Sequence, residues 1–279
     1  MRTRMSVAFF MALGLVVFSG CCSGCGRKVW VEKTQELTFT AADLGEVSVE
    51  THNGSVVITG AADREQGEAT VKIKAGGKTQ ESAAACMEAI ELVSTTEGSK
   101  HQLGWKWRTE KQPDWAAQVG FTVEVPQRLG ATVRTHNGGV VVRNIAGACD
   151  LETHNGGVNV TAGAAPLRAE THNGGIEATT SGESVSLVTH NGGIELNAAA
   201  CARLGGEVVT HNGGIRVTMS PNTSTELSCS TANGRIQCGV PWKVASMSRN
   251  EARGTIGEGG AALKIETYNG GIKIDQAGG

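Results

Sequence analysis

The residues Thr-His-Asn-Gly-Gly fill positions 135–139, and the same word returns at 153–157, 171–175, 189–193 and 210–214. Marking each copy and its relatives by the leading threonine gives Thr51, Thr135, Thr153, Thr171, Thr189, Thr210, Thr231 and Thr267. From Thr135 the steps are 18, 18, 18, 21, 21 and 36 residues. Self-similarity at such a period belongs to chains that stack near-identical rungs, each burying its apolar face on the next. The steps of 21 read as three-residue loop insertions. The step of 36 reads as two periods, with a degenerate rung over "VASMSRNEARGTI".

Residues around each threonine say what a rung is made of. Two positions before it stand Val133, Leu151, Leu187, Val208 and Ile265; five positions after stand Val140, Val158, Ile176, Ile194, Ile215 and Ile272. Apolar residues alternating with polar ones predict two short strands per rung, each with one buried face. Asn-Gly between them reads as a sharp corner, for which glycine's tolerance of positive φ is the expected reason. The threonine is in phase with the apolar set and is expected to point inward. The asparagines Asn53, Asn137, Asn155, Asn173, Asn191, Asn212, Asn233 and Asn269 are expected to stack as an amide ladder. Calcium-binding nonapeptides also sum to 18 but need a recurrent Asp, which is missing; hexapeptide repeats need apolar positions every six. Aromatics are only 4% of the chain while Gly numbers 39, which suits a thin stacked β structure better than a conventional core. The fold class is therefore mainly all-β: a single-stranded β-solenoid with rungs of about 18 residues, regular over 131–279.

Between Thr51 and Thr135 the period fails. "TQESAAACMEAIELV" (79–93) places Ala83, Cys86, Met87, Ile90 and Val93 on one stripe, with Thr79 as N-cap, and predicts an amphipathic helix inserted near the N-terminal end. Trp105, Trp107 and Trp115 follow it; they read as packing for the helix against the end of the stack, with a binding patch as the other option.

The N-terminus is a different kind of segment. Arg2 and Arg4 precede an apolar run from Val7 to Phe18, too short and wrongly flanked for a membrane span. "VFSGC" resembles the bacterial lipobox, with Phe18 where that motif carries Leu, so residues 1–20 read as a lipoprotein signal peptide and Cys21 as the lipidated residue; Cys25 is the alternative. Residues 21–35 then form a tether. Loss of Arg2 and Arg4 leaves 25 − 2 = 23 basic against 27 acidic residues, a balance that excludes a nucleic-acid partner. The expected partners are a membrane, through the N-terminal lipid anchor, and a cell-surface glycan or protein. The expected address is the cell envelope, periplasmic or surface-facing, with the outer membrane favoured.

The order of leader, "VSVETHNGSVVITG", strand, helix, "FTVEVPQRLGATVRTHNGGVVV" and further T-x-N-G rungs resembles the DUF4097 family of bacterial candidate adhesins. The resemblance covers residues 36–279. It implies a right-handed, β-helix-like fold at the cell envelope, a role in adhesion or envelope assembly, and no catalytic residues or cofactor.

This chain departs from that pattern by placing His between Thr and Asn in nearly every repeat. His136, His154, His172, His190 and His211 should form a solvent-facing row with one strand spacing, roughly 4.8 Å, between rings. The row reads as decoration copied by duplication, as a weak site for Zn, Cu or Ni, or as a pH-responsive surface. Cys229 and Cys238 sit on one rung, either as a disulfide across the core or as buried thiols. No nucleophile elbow, phosphate loop or HExxH is present, and carboxylates such as Glu152, Glu170, Glu177 and Glu195 recur on the rungs rather than meeting once. A non-catalytic protein is expected. A polysaccharide-binding or polysaccharide-cleaving β-helix is the third reading, after adhesion and a metal or pH module.

Overall fold

The computed structural model describes residues 15–18 and 28–278. Cys21, Cys22, Cys25 and most of the leader lie outside the described residues. The described residues are mainly β, with one short helix and two large mixed sheets of 12 strands each. One sheet holds the strands that carry the threonines (the threonine sheet); the other holds the strands that leave the corners (the exit sheet).

Naming each rung by its threonine, the Thr171 rung shows the pattern: Leu167–Asn173 lies in the threonine sheet and Ile176–Thr179 in the exit sheet. Its neighbours pair with it in parallel and in register, Thr171 opposite Thr189 and Ile176 opposite Val158 and Ile194. Parallel pairing without intervening helices works because each turn of chain supplies one strand to both sheets. The two inner faces meet along a narrow core in which Val140, Leu151, Leu187, Leu196, Val208 and Ile274 are fully buried.

The 84-residue gap after Thr51 does not break the stack. Glu46–Asn53 pairs in register with Gly130–Asn137, Thr51 opposite Thr135, so the intervening chain loops out and returns. That excursion builds a cap. Ala116–Pro126 joins the exit sheet parallel to Val56–Ala61, and Gln66–Gly77 and Val29–Thr40 extend it by antiparallel pairing; Lys100–Trp107 joins the threonine sheet parallel to Glu46–Asn53, and Ile90–Glu97 closes it antiparallel. Helix α1, Gln80–Glu88, is shorter than the 79–93 expected. Thr79 caps it by accepting from Ser82 N at 3.1 Å, but the β-branched run from Ile90 is claimed by the strand that turns at Gly98 (φ +59°). The tether assigned to 21–35 is also shorter, since the strand begins at Val29. Leu15–Phe18, part of the expected leader, adds antiparallel to that strand, where an open row of backbone donors and acceptors takes an apolar extended segment.

The C-terminal end differs most from the sequence reading. The Thr267 rung (Ala262–Asn269 and Ile272–Gln276) does not follow the Thr231 rung; it is inserted between the Thr210 and Thr231 rungs, parallel to both. Residues 243–256 are accordingly no degenerate rung. Lys243–Met247 and Glu251–Ile256 form a hairpin that runs antiparallel against Thr225–Asn233 and covers its edge.

Candidate functional site

Each corner is built by three ladders. The threonines are buried, and from Thr135 on each Oγ1 donates to a backbone carbonyl on the rung before it in space, as Thr171 to Gly156 O and Thr189 to Gly174 O, both at 2.8 Å; Thr51 donates to Val119 O in the cap. The eight asparagines are linked in the spatial order 53, 137, 155, 173, 191, 212, 269, 233, each Nδ2 donating to the preceding Oδ1 at 2.6–2.9 Å. The glycine after each asparagine is required by space, not by φ. None of these glycines has positive φ, but a Cβ on Gly174 would stand 2.1 Å from Gly156 O and one on Gly138 would stand 2.0 Å from Gly54 O. Rungs touch backbone to backbone there, and only hydrogen fits. The second glycine is looser, with 3.3 Å from Gly175 to Gly193 O; Ser55 and Arg235 occupy that place on other rungs.

These ladders hold the histidines in a ridge. His52, His136, His154, His172, His190, His211 and Tyr268 stack in that order with centroids 4.7–4.9 Å apart and ring planes within 15° of parallel. The row is thus longer than the five rings expected: His52 joins across the excursion, and Tyr268 stacks on His211 because its rung is inserted there. In-register pairing of Thr51 with Thr135 would have revealed His52; the period puts Tyr268 at the histidine position but does not place its rung next to that of His211. Stacked rings hide their faces against each other and offer their edges, one set of ring nitrogens per rung. Parallel rings at this spacing do not converge on a common point, and among the described residues no cluster of three or more His, Cys, Asp or Glu is arranged to hold a metal ion.

Beside the ridge runs a groove of about 900 Å³ on the outside of the threonine sheet. Its floor is the backbone of the buried threonines. Its far wall carries Glu152 and Glu170, then Val188 and Val209, then Glu266, and Glu251 of the terminal hairpin closes one end. Glu152 pairs with Arg134 at 3.1 Å and Glu170 with Arg168 at 2.5 Å, so the carboxylates stand in solvated ion pairs spread along the wall. On the other sheet Glu177 accepts from Asn159 Nδ2 at 2.6 Å, and Glu195 is exposed. The recurring carboxylates lie on separate rungs and separate faces.

The remaining candidates are structural. Trp105, Trp107 and Trp115 form a chain of ring contacts at 5.2 and 5.8 Å in the cap, and Trp105 Nε1 donates to Thr51 Oγ1 at 3.2 Å. Cys229 and Cys238 are unbonded thiols on opposite sheets. Burial pushes the thiols of Cys149 and Cys201 up to about 11 and that of Cys229 to about 12, which leaves them poor nucleophiles. His101, outside the repeats, is buried, stacks on Phe39 at 3.8 Å and contacts Thr96 Oγ1 at 2.8 Å and Ser94 Oγ at 3.2 Å. Loss of solvent lowers its pKa from 6.5 to about 4.

No protein-family model and no curated protein matches this chain. Among solved structures it is similar to a candidate adhesin from Bacteroides fragilis, with 14% identity over 88% of this chain and 97% of that one at a TM-score of 0.46. It is also similar to a candidate cell adhesion protein from Clostridium sporogenes, with 10% identity over 88% of this chain and all of that one at a TM-score of 0.41. A third, a candidate lipid-binding protein from Parabacteroides distasonis, is 10% identical over 86% of this chain and 96% of that one, with a TM-score of 0.30.

Proposed function

We propose that this protein is exported, anchored in the cell envelope by a lipid on Cys21, and non-catalytic, and that its right-handed β-solenoid presents the ring ridge for adhesion to an extended, hydroxyl-rich polymer such as a surface glycan. The observation that carries the reading is the unbroken line of seven ring edges beside a groove walled by carboxylates. A ring edge that can hydrogen-bond recurs once per rung from His52 to Tyr268, and the carboxylates of Glu152, Glu170 and Glu266 accept along the same groove, so a chain of hydroxyl groups lying along the stack meets a hydrogen-bonding partner at each step. Many weak contacts held at a fixed pitch give avidity without any deep pocket.

The test compares the protein with a variant in which His136, His154, His172, His190 and His211 are all changed to Asn. Calorimetry against purified envelope glycans is expected to show binding that the variant loses. Equal binding by both proteins would remove the ridge from the interaction. The same pair titrated with Zn, Cu and Ni separates the metal reading: tight binding of metal, lost in the variant and without glycan binding, would replace adhesion with a metal-binding role.

A further inference from the structure

The opposite face of the molecule carries a second pattern. On the exit sheet the six second glycines of the corners, from Gly139 to Gly271, leave a bare strip of backbone that forms a groove of about 930 Å³. The column of outward side chains next to that strip reads, in spatial order, Val141, Asn159, Glu177, Glu195, Arg216, Lys273 and Gln237. From Asn159 to Gln237 the order is self-complementary about its midpoint. Turning the column end over end sets Glu195 against Arg216, Glu177 against Lys273, and Asn159 against Gln237; Val141 then lies past the edge strand of the turned copy.

We infer that this face is the interface of a two-fold dimer with a second, antiparallel copy of the chain. A two-fold axis parallel to the strands, passing between Glu195 and Arg216, lays each column on its own copy running the other way. Such an isologous contact repeats every pair twice, giving four opposite-charge pairs and two amide pairs. The six residues span about 24 Å at one strand spacing per step. The glycine strip beside them gives the longer side chains of the partner room to lie flat. Arg235, which replaces the glycine on the last rung, then faces the partner's Gly157, where the space for it exists. The next column outward is Arg143, Thr161, Thr179, Asn197, Thr218 and Asp275; Arg143 lies past the partner's edge strand, so the column brings no like charges together. Asp275 already holds Lys273 at 2.7 Å and lies 3.9 Å from Arg216, and in the pair it faces the partner's Thr179. The pattern exists only because the Thr267 rung is inserted, since chain order would place Gln237 before Lys273. The inference is independent of the ring ridge, which lies on the other sheet.

Sedimentation velocity on the full chain in a mild non-ionic detergent tests it, with two charge variants. Glu177→Lys/Glu195→Arg makes the wall uniformly basic, and Arg216→Glu/Lys273→Glu makes it uniformly acidic. The wild type is expected to dimerise at low salt and dissociate as salt rises. Each variant alone is expected to be monomeric, and an equimolar mixture is expected to dimerise again. Register is read by oxidative cross-linking: Asn159→Cys mixed with Gln237→Cys should join, whereas Asn159→Cys alone should not. A wild type that stays monomeric at low salt overturns the proposal, as does a dimer that both charge variants leave intact. The substituted side chains are exposed or half-buried, so melting curves should match the wild type; Glu195→Gln, which only removes charge, should weaken the dimer and serves if a double variant fails to fold.

Discussion

The middle of the stack and the N-terminal cap solve the same problem with opposite materials. From the Thr135 to the Thr210 rung the core is aliphatic and each rung touches only its neighbours, so stability accrues as repeated small interfaces. Between Val29 and Pro126 the chain instead concentrates bulk: Trp30, Trp105, Trp107, Trp115, Phe39 and Phe121 all fall there, on long antiparallel strands and against α1. A repeated unit cannot finish itself, because its last edge would recruit another chain. The cap ends the stack with residues chosen for size and the middle extends it with residues chosen for closeness of approach.

Closeness makes the first corner glycine the most sensitive position. Gly174→Val is expected to cost about 4–5 kcal/mol or prevent folding, the range of severe single-site effects, because the new Cβ meets backbone at 2.1 Å. Gly175→Ser, one residue away, is expected to stay within about 0.5 kcal/mol. Urea titration of the two variants decides the point, and equal effects would break the account of the corner. In the cap, Phe121→Ala removes one of the largest fully buried side chains and is expected to cost about 3–5 kcal/mol.

Acid should also act on the cap. His101 is held neutral by burial, with its pKa lowered from 6.5 to about 4. Between these values the unfolded chain binds the proton and the folded chain does not, so the stability gained from neutral His101 is complete above pH 6.5. It is lost as pH falls toward 4, by about 3 kcal/mol in total. Melting measured across that window should show the slope, and His101→Gln should reduce it; a slope that instead vanishes in the five-histidine variant would move the pH response to the ridge. A smaller loss than that of Gly174→Val or Phe121→Ala is expected in the ladder. Asn173→Ala removes two side-chain hydrogen bonds, to Asn155 and from Asn191, at about 1–2 kcal/mol. Asn233, at the ladder's end with a single bond to Asn269, should cost about half as much.

Much of this was legible in the repeats. Alternation around Thr171 and Ile176 fixes two strands with known inward faces, and the one-residue offset of the histidines puts them outside. The corner glycine was legible as necessary but for the wrong reason: the sequence suggests a left-handed turn, while the structure shows two backbones in contact. Helix α1 was legible at its start, where Thr79 caps it, and not at its end, because Ile90–Glu97 serves helix and strand patterns equally until a partner strand is present.

The sequence by itself determined the rung: its length, its two strands, its corner, and which side chain points where. It also determined that the rungs stack, since each buries its apolar face only against another. Which rung lies next to which was decided by the tertiary structure alone. Near-identical repeats pair equally well in several orders, and local physics does not distinguish them. The order is set by the pieces that are not repeats, namely the excursion that returns Thr51 to Thr135 and the terminal hairpin that covers the Thr231 rung and leaves the Thr267 rung to enter between its predecessors. That choice completes the ring ridge with Tyr268 and arranges Glu177, Glu195, Arg216 and Lys273 into a face that complements itself.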